Sequence, residues 1–182
     1  MNCLVVVAHP LNDSLCHYLA EQAVAHLAAK GHDVTVFNLY DEAFQPSLSG
    51  SERDSYYKNV FHSDGLHSEI EQLKRAERLV LVFPTWWFGF PAILKGWFDR
   101  VWAPGHAYDH ASDLGPIQPR LSNLREMNVV TTLGSPWWVD WFVLRRPVRR
   151  VLKLALLGAC SRGCRFKMLS LYNSEMVSRE RL

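Results

Sequence analysis

The sequence predicts an α/β protein built on a doubly wound, five-stranded parallel sheet with its strands ordered 2-1-3-4-5. Three observations predict it. Several short runs are apolar throughout and rich in β-branched residues, the pattern of strands buried on both faces. Segments of helical character separate those runs, so strands alternate with helices five times. No internal repeat or linker interrupts the 182 residues, so residues 1–182 are expected to form a single domain with a sizeable core.

Cys3–Ala8 is the first run, and His9-Pro10 closes it. Asn12, Asp13 and Ser14 offer N-cap chemistry, and Leu15, Leu19, Ala23 and Leu27 recur every fourth residue up to Lys30-Gly31, where glycine ends the helix. Val34–Phe37 is the second strand. Residues 40–67 are polar and irregular, a long functional loop with room for one short helix. Ser68 and Glu71 stand at capping-box spacing and open a helix to about Ala76. Leu79–Phe83 is the third strand, 84–90 a loop, and Pro91 suits the first turn of a helix reaching about Val101. Five Pro and Gly residues make 103–124 an excursion without regular structure. Met127–Leu133 is the fourth strand and 134–147 a loop. A basic helix over about 148–158 leads to the last strand, about Arg165–Leu171. The final helix of such a fold is expected to be short or missing.

Composition excludes several functions. A net charge of +2 is too small to argue for nucleic acid. Cysteines at 3, 16, 160 and 164 have no zinc spacing, so no metal is expected, and Cys160 and Cys164 read as free thiols. No signal peptide is legible, and no apolar stretch approaches the ~20 residues of a membrane span. A cytoplasmic protein is the expectation. All seven tryptophans fall between residues 86 and 141, which suggests a pocket wall or an interface. Trp97 and Trp102 are expected to be exposed in the latter.

Ligands of open α/β sheets bind beyond the carboxyl ends of the strands, near the switch in strand order. Here the loops after strands one, three and four begin at His9, Pro84 and Thr132. The first, His9–Cys16, ends at a helix N-terminus and carries Asn12, Ser14 and His9 as donors. It reads either as a phosphate cradle or as a capped turn. It lacks the glycine fingerprint of dinucleotide-binding dehydrogenases and the P-loop lysine. The second, Pro84-Thr85-Trp86-Trp87-Phe88, puts three successive aromatics at a strand end. Neighbouring side chains diverge, so at least one ring faces the crevice, where a planar ligand could stack. The third, Thr131-Thr132-Leu133-Gly134-Ser135, suits backbone donors aimed at a ligand edge or, equally, an ordinary strand-end turn.

Phe83–Arg100, Phe-Pro-Thr-Trp-Trp-Phe-Gly-Phe-Pro-Ala-Ile-Leu-Lys-Gly-Trp-Phe-Asp-Arg, resembles the signature of the NAD(P)H quinone oxidoreductases, flavoproteins of the flavodoxin-2 type. That family includes quinone reductases, modulators of drug activity, general stress oxidoreductases and ancillary subunits of ion-efflux systems. His9 to Ser14 and Thr131-Thr132 with Gly134 match in place, and the resemblance runs from Met1 to about Ser135. It implies a flavodoxin-like fold, bound flavin (FAD or FMN), NAD(P)H as co-substrate, a homodimer, and ping-pong transfer of two electrons to a quinone-like acceptor. By the same resemblance His9, Ser14, Leu15 and Cys16 line the flavin phosphate. Pro84, Thr85, Trp86, Trp87 and Phe88 edge the ring system, and Thr131, Thr132, Leu133 and Gly134 flank it. Tyr108 and His110 reach the flavin of the partner subunit.

Family quinone reductases often carry a Tyr and a His after the third loop, to receive charge on the reduced flavin. Counting from Thr131, Val139 and Arg145 stand there instead. The expected catalytic groups are therefore the amides of Leu133 and Gly134, helped by Arg145. The basic stretch Arg145, Arg146, Arg149, Arg150, Lys153 reads as a solvated helix face or as a docking surface. The latter would suit the alternative role, an ancillary flavoprotein subunit in peripheral contact with a membrane ion-efflux system. The sequence leaves FAD against FMN, NADH against NADPH and the physiological acceptor open.

Overall fold

The computed structural model describes residues 1–41, 44–58, 60–63, 65–111 and 115–176. Strands β1 (Asn2–Val7), β2 (Asp33–Asn38), β3 (Arg78–Pro84), β6 (Glu126–Thr132) and β7 (Arg165–Leu171) form one parallel sheet in the order β2-β1-β3-β6-β7, as the apolar runs predict. Their ends move by a residue or two. Between them lie helices α1 (Leu15–Ala29), α2 (Gly50–Ser55), α3 (His67–Arg75) and α4 (Ala92–Val101). A last helical arm combines α5 (Pro147–Arg150), a π-helical stretch Val151–Leu156 and α6 (Leu157–Cys160).

Pleating divides the core in two. Cys3, Val5, Val7, Val80 and Val82 pack under α1 with Cys16, Ala20 and Leu27. Leu4, Val6, Leu79, Leu81 and Phe83 point the other way, towards α3, α4 and the arm through Ile70, Leu73, Trp97, Leu152 and Leu157. Residues 174–176 make a single 3-10 turn, while the rest of the expected final helix, residues 177–182, lies outside the described residues. Among the described residues no helix is long and apolar enough to cross a membrane.

Several expectations need correction. Ser68 and Glu71 form no capping box: α3 begins two residues earlier, its N-cap Leu66 has no side-chain hydrogen bond, and Glu71 pairs with Lys74 instead. The capping box of this chain lies at Ser49 and Glu52, which open α2 inside the long loop. Pro91 caps α4 rather than entering its first turn. The excursion holds an antiparallel ribbon, β4 (Tyr108–Asp109) with β5 (Gln118–Pro119), its residues 112–114 lying outside the described set. The 134–147 loop contains a π-helical turn, Val139–Val143.

Trp97 and Trp102 are not exposed. They are 0% and 2% exposed, with ring centroids 6.0 Å apart. The reason is that α4 is covered on both sides, by the sheet and by the loop before α2. A Cβ on Gly96 would come within 2.2 Å of the Pro46 carbonyl oxygen, so only glycine admits that loop. Glu52, fully buried, anchors it by accepting from Nε and Nη2 of Arg100 at 2.7–3.1 Å, and Arg100 also donates to the Gln45 carbonyl. Removing one partner of such a pair leaves an uncompensated buried charge. Arg100→Leu should therefore lower the unfolding free energy by about 3–5 kcal/mol. Urea denaturation checks this, and a change below about 1 kcal/mol would show that the loop is held by something else.

Candidate functional site

The carboxyl ends of β1, β3 and β6 open into a cleft of 570 Å³ lined by His9, Leu15, Cys16, Pro84, Thr85, Trp86, Trp87, Thr132, Gly134, Ser174 and Glu175. Its size is ordinary for a small-molecule site.

The wall from β1 is a helix N-terminus. Ser14 accepts from the His17 amide at 3.3 Å and holds the extended backbone of an N-cap, and no acidic residue occupies the first turn of α1. The amides of Leu15 and Cys16 have no helical acceptor, so they and the helix dipole favour an anion. His9 accepts from the Leu11 amide through Nδ1 at 3.1 Å, and its carbonyl accepts from Nε2 of His17 at the same distance. Burial lowers the His9 pKa below its ordinary value; the backbone hydrogen bond at Leu11 opposes that shift and the nearby His17 adds to it. Nδ1 also lies 3.3 Å from the Leu11 carbonyl oxygen, so the ring finds a partner there in either tautomer, and a neutral imidazole offers the cleft a polar group rather than a charge.

The wall from β3 is a strained turn. The Gly89 amide donates to the Trp86 carbonyl at 2.9 Å across Trp87 and Phe88, both at positive φ (50° and 55°). Two successive left-handed positions outside glycine cost on the order of 1–3 kcal/mol each, a strain typical of ligand-binding turns. The turn holds Trp87 100% exposed and Trp86 43% exposed. Phe88 belongs to the turn but does not line the cleft.

The wall from β6 is tied to the second. The Thr85 amide donates to the Thr132 carbonyl at 2.8 Å, and the Thr85 and buried Thr131 hydroxyls share a 2.7 Å hydrogen bond. Thr132 Oγ1 lies 3.6 Å from Cys16 Sγ, linking this wall to α1. The Leu133 amide is not a donor to the cleft, because the sheet continues for one more bond and it donates to Leu171 at 2.8 Å. Gly134 does line it. Beside it the Ser135 hydroxyl is buried with no hydrogen-bond partner among the described residues.

The structure thus brings together nine of the sequence-derived positions, His9, Leu15, Cys16, Pro84, Thr85, Trp86, Trp87, Thr132 and Gly134. Ser14 and Thr131 support them from behind. Arg145 is not among them: it is exposed, at positive φ, where the chain turns into α5. Its neighbour Arg146 is the one held, stacked 4.2 Å from the Trp141 ring and beside buried Asp140. Tyr108 and His110 lie in a separate aromatic cluster. Tyr108 donates to the Tyr56 hydroxyl at 3.3 Å, and His110 donates from Nε2 to the Tyr56 carbonyl while stacking on Tyr57 at 4.7 Å. Burial, then the Tyr56 hydrogen bond, raises the Tyr108 pKa.

Ser174 and Glu175 were missed. Ser174 donates its amide to the Leu133 carbonyl, and a Cβ on Gly134 would lie 3.1 Å from Glu175 Oε1. The signal was the predicted strand order, which puts the turn after strand five beside the loop after strand four. No group of three or more metal-ligating side chains comes together among the described residues.

Comparison with known proteins assigns the family. Residues 1–155 match the family model described as having a flavodoxin-like fold. The NAD(P)H dehydrogenase [quinone] 1 of Rattus norvegicus is 36% identical over 150 residues, covering 72% of this chain and 53% of that protein. The chain spans about half the length of the first curated relatives it matches. Smu.1420 from Streptococcus mutans UA159 superposes with a TM-score of 0.83 at 29% identity, over 99% of this chain and 92% of that one. The NAD(P)H:quinone oxidoreductase from Methanothermobacter marburgensis gives 0.78 at 27% identity, over 97% and 85%. The chain belongs to the flavodoxin-like NAD(P)H:quinone oxidoreductase family.

The cleft thiol sets a pH limit on the fold. Burial pushes Cys16 up to about 11, and pushes Cys160, under the arm, up to about 12. Both stay protonated in the folded chain while the unfolded chain ionises them near 9. Their stabilising effect is therefore complete below pH 9 and declines above it, by about 1.4 kcal/mol per pH unit for each thiol. Urea midpoints between pH 8 and 11 should fall less steeply in the Cys16→Ala/Cys160→Ala variant. Equal slopes in the two proteins would show that these thiols ionise normally.

Proposed function

We propose that this family member is a flavin-dependent NAD(P)H oxidoreductase, passing two electrons to quinones or similar electrophiles by a ping-pong route. Residues 1–182 then make one flavin-binding domain, and the expected setting is the cytoplasm. The observation that carries the reading is the convergence of three loops on one cleft: an anion-receptive helix N-terminus, a strained aromatic turn and a hydroxyl- and glycine-lined strand end. A planar, phosphorylated ligand would use all three. The similarity to the rat NAD(P)H dehydrogenase [quinone] 1 and the Methanothermobacter NAD(P)H:quinone oxidoreductase supports the same activity.

In this reading the Leu15 and Cys16 amides would hold the flavin phosphate, with His9 as a further donor in its Nε2–H tautomer. Trp86 and Trp87 flank the ring system and keep water from it, and the amides of the 86–88 turn hold its edge. Thr132 and Gly134 would border the ring system from the β6 side of the cleft, where the Gly134 amide is the donor we assign to developing negative charge. Flavin, when bound, supplies the hydride and electron chemistry.

Reconstitution with FMN and with FAD, followed by gel filtration, should leave one of them co-eluting and oxidising NAD(P)H steadily with menadione. Trp87→Ala should weaken that binding up to about tenfold, the value of one aromatic stack. If neither flavin co-elutes, or Trp87→Ala binds as the parent does, the assignment fails.

We also propose a homodimer in which the Tyr56, Tyr57, Tyr108, His110 cluster faces the cleft of the partner. Tyr57 is 72% exposed, and a large exposed aromatic in a stacked cluster suits an interface. Light scattering at micromolar concentration should give twice the chain mass. A fully active monomer would contradict the shared site.

A further inference from the structure

The two ends of the cleft differ in charge. At the α1 end the attraction for an anion comes from backbone amides, and no acidic residue stands in the first turn of that helix. Glu175 stands at the other end, in the turn that follows β7. In the sheet β7 lies three places from β1, roughly 14 Å at the usual strand spacing. Among the described residues lining the cleft, Glu175 supplies the one carboxylate, and no lysine or arginine accompanies it.

The backbone fixes this carboxylate where it is. Three hydrogen bonds fasten its turn to the loop after β6. The Leu133 amide donates to the Leu171 carbonyl at 2.8 Å, the Ser174 amide to the Leu133 carbonyl at 2.9 Å, and the Asn173 amide to the Ser135 carbonyl at 3.3 Å. Asn173 takes a left-handed φ of 52° to start the turn, and the Met176 amide closes it on the Asn173 carbonyl at 3.0 Å. Gly134 does the rest. A Cβ there would stand 3.1 Å from Oε1 of Glu175, so the missing side chain lets the carboxylate lie against the loop. Among the described residues Glu175 makes no hydrogen bond or ion pair. Arg146, the held arginine of the neighbouring turn, is engaged by Trp141 and Asp140 instead. On an open surface an unpaired glutamate needs no explanation. In a concave site it acts on whatever enters.

We propose that Glu175 selects electron acceptors by charge, admitting neutral and cationic quinone-like molecules and disfavouring anionic ones such as sulfonated quinones. The proposal rests on the flavin reading, in which the ring system lies against Gly134 and both co-substrates enter the same cleft by turns. An acceptor stacked on that ring presents its substituents to the rim. A fixed carboxylate there repels a sulfonate and leaves an uncharged ring alone, which is specificity by exclusion of the wrong partner. Like charges roughly 6 Å apart at a wet rim change affinity by about three- to tenfold.

Equilibrium dialysis of the reconstituted, oxidised chain tests it with three anthraquinones. They carry a hydroxymethyl, a sulfonate or a trimethylammoniomethyl group on the same ring carbon. The parent should bind the cation best and the sulfonate worst. In Glu175→Gln, affinity for the sulfonate relative to the neutral compound should rise about three- to tenfold, and that for the cation should fall by a similar factor. Glu175→Asp should keep the parent order, and 1 M salt should flatten it. Glu175 is exposed, and circular dichroism checks that both variants fold. Charge ratios that stay the same in Glu175→Gln, or a parent order that ignores salt, would overturn the proposal while the flavin remains bound. A parent chain that retains no flavin would sink the flavin reading and this proposal with it.

Discussion

Thr85 sets the spacing on which the cleft depends. Its amide extends the pairing of β3 with β6 by one bond, to Thr132, and its hydroxyl closes on the Thr131 hydroxyl at 2.7 Å. The loops leaving those two strands must therefore start side by side. The chain after Thr85 turns at once, through two left-handed residues, and this presents Trp86 and Trp87 at the rim instead of burying them as a third layer of core. Thr132, fixed by the same bonds, reaches Cys16 at the start of α1. One short hydrogen-bonded step thus sets the mutual position of three walls that are distant in sequence.

Strands were the most legible part of the fold, because a run apolar at every position has few places to go except the centre of a parallel sheet. Strand order followed from the alternation, and with it the location of the cleft. What escaped were features made by pairs far apart in the chain. Glu52 looks like one more charge in a polar loop, and only its contact with Arg100, 48 residues on, explains why it is buried. That same contact folds the loop over α4 and hides Trp97 and Trp102, whose place in a sequence rich in exposed aromatics gave the opposite impression.

The site was legible where local chemistry sufficed and opaque where register mattered. Ser14 capping α1 and the aromatic turn could be read from neighbouring residues. Whether the Leu133 amide is spent on the sheet depends on where β7 stops, which no local pattern fixes. Counting residues from Thr131 put Arg145 at the cleft. The π-helical turn at 139–143 adds width to each turn of backbone, and the arginine instead sits exposed at the start of the arm. Ser174 and Glu175 arrive by topology alone.

The account stands on three loops acting as one flavin site, and amide chemical shifts test that most directly. In a 1H–15N spectrum recorded during titration with FMN, the largest perturbations should appear together at 15–16, 86–89 and 132–134 and saturate with one dissociation constant. Perturbations confined to one loop, clustered on another face or absent altogether would contradict it.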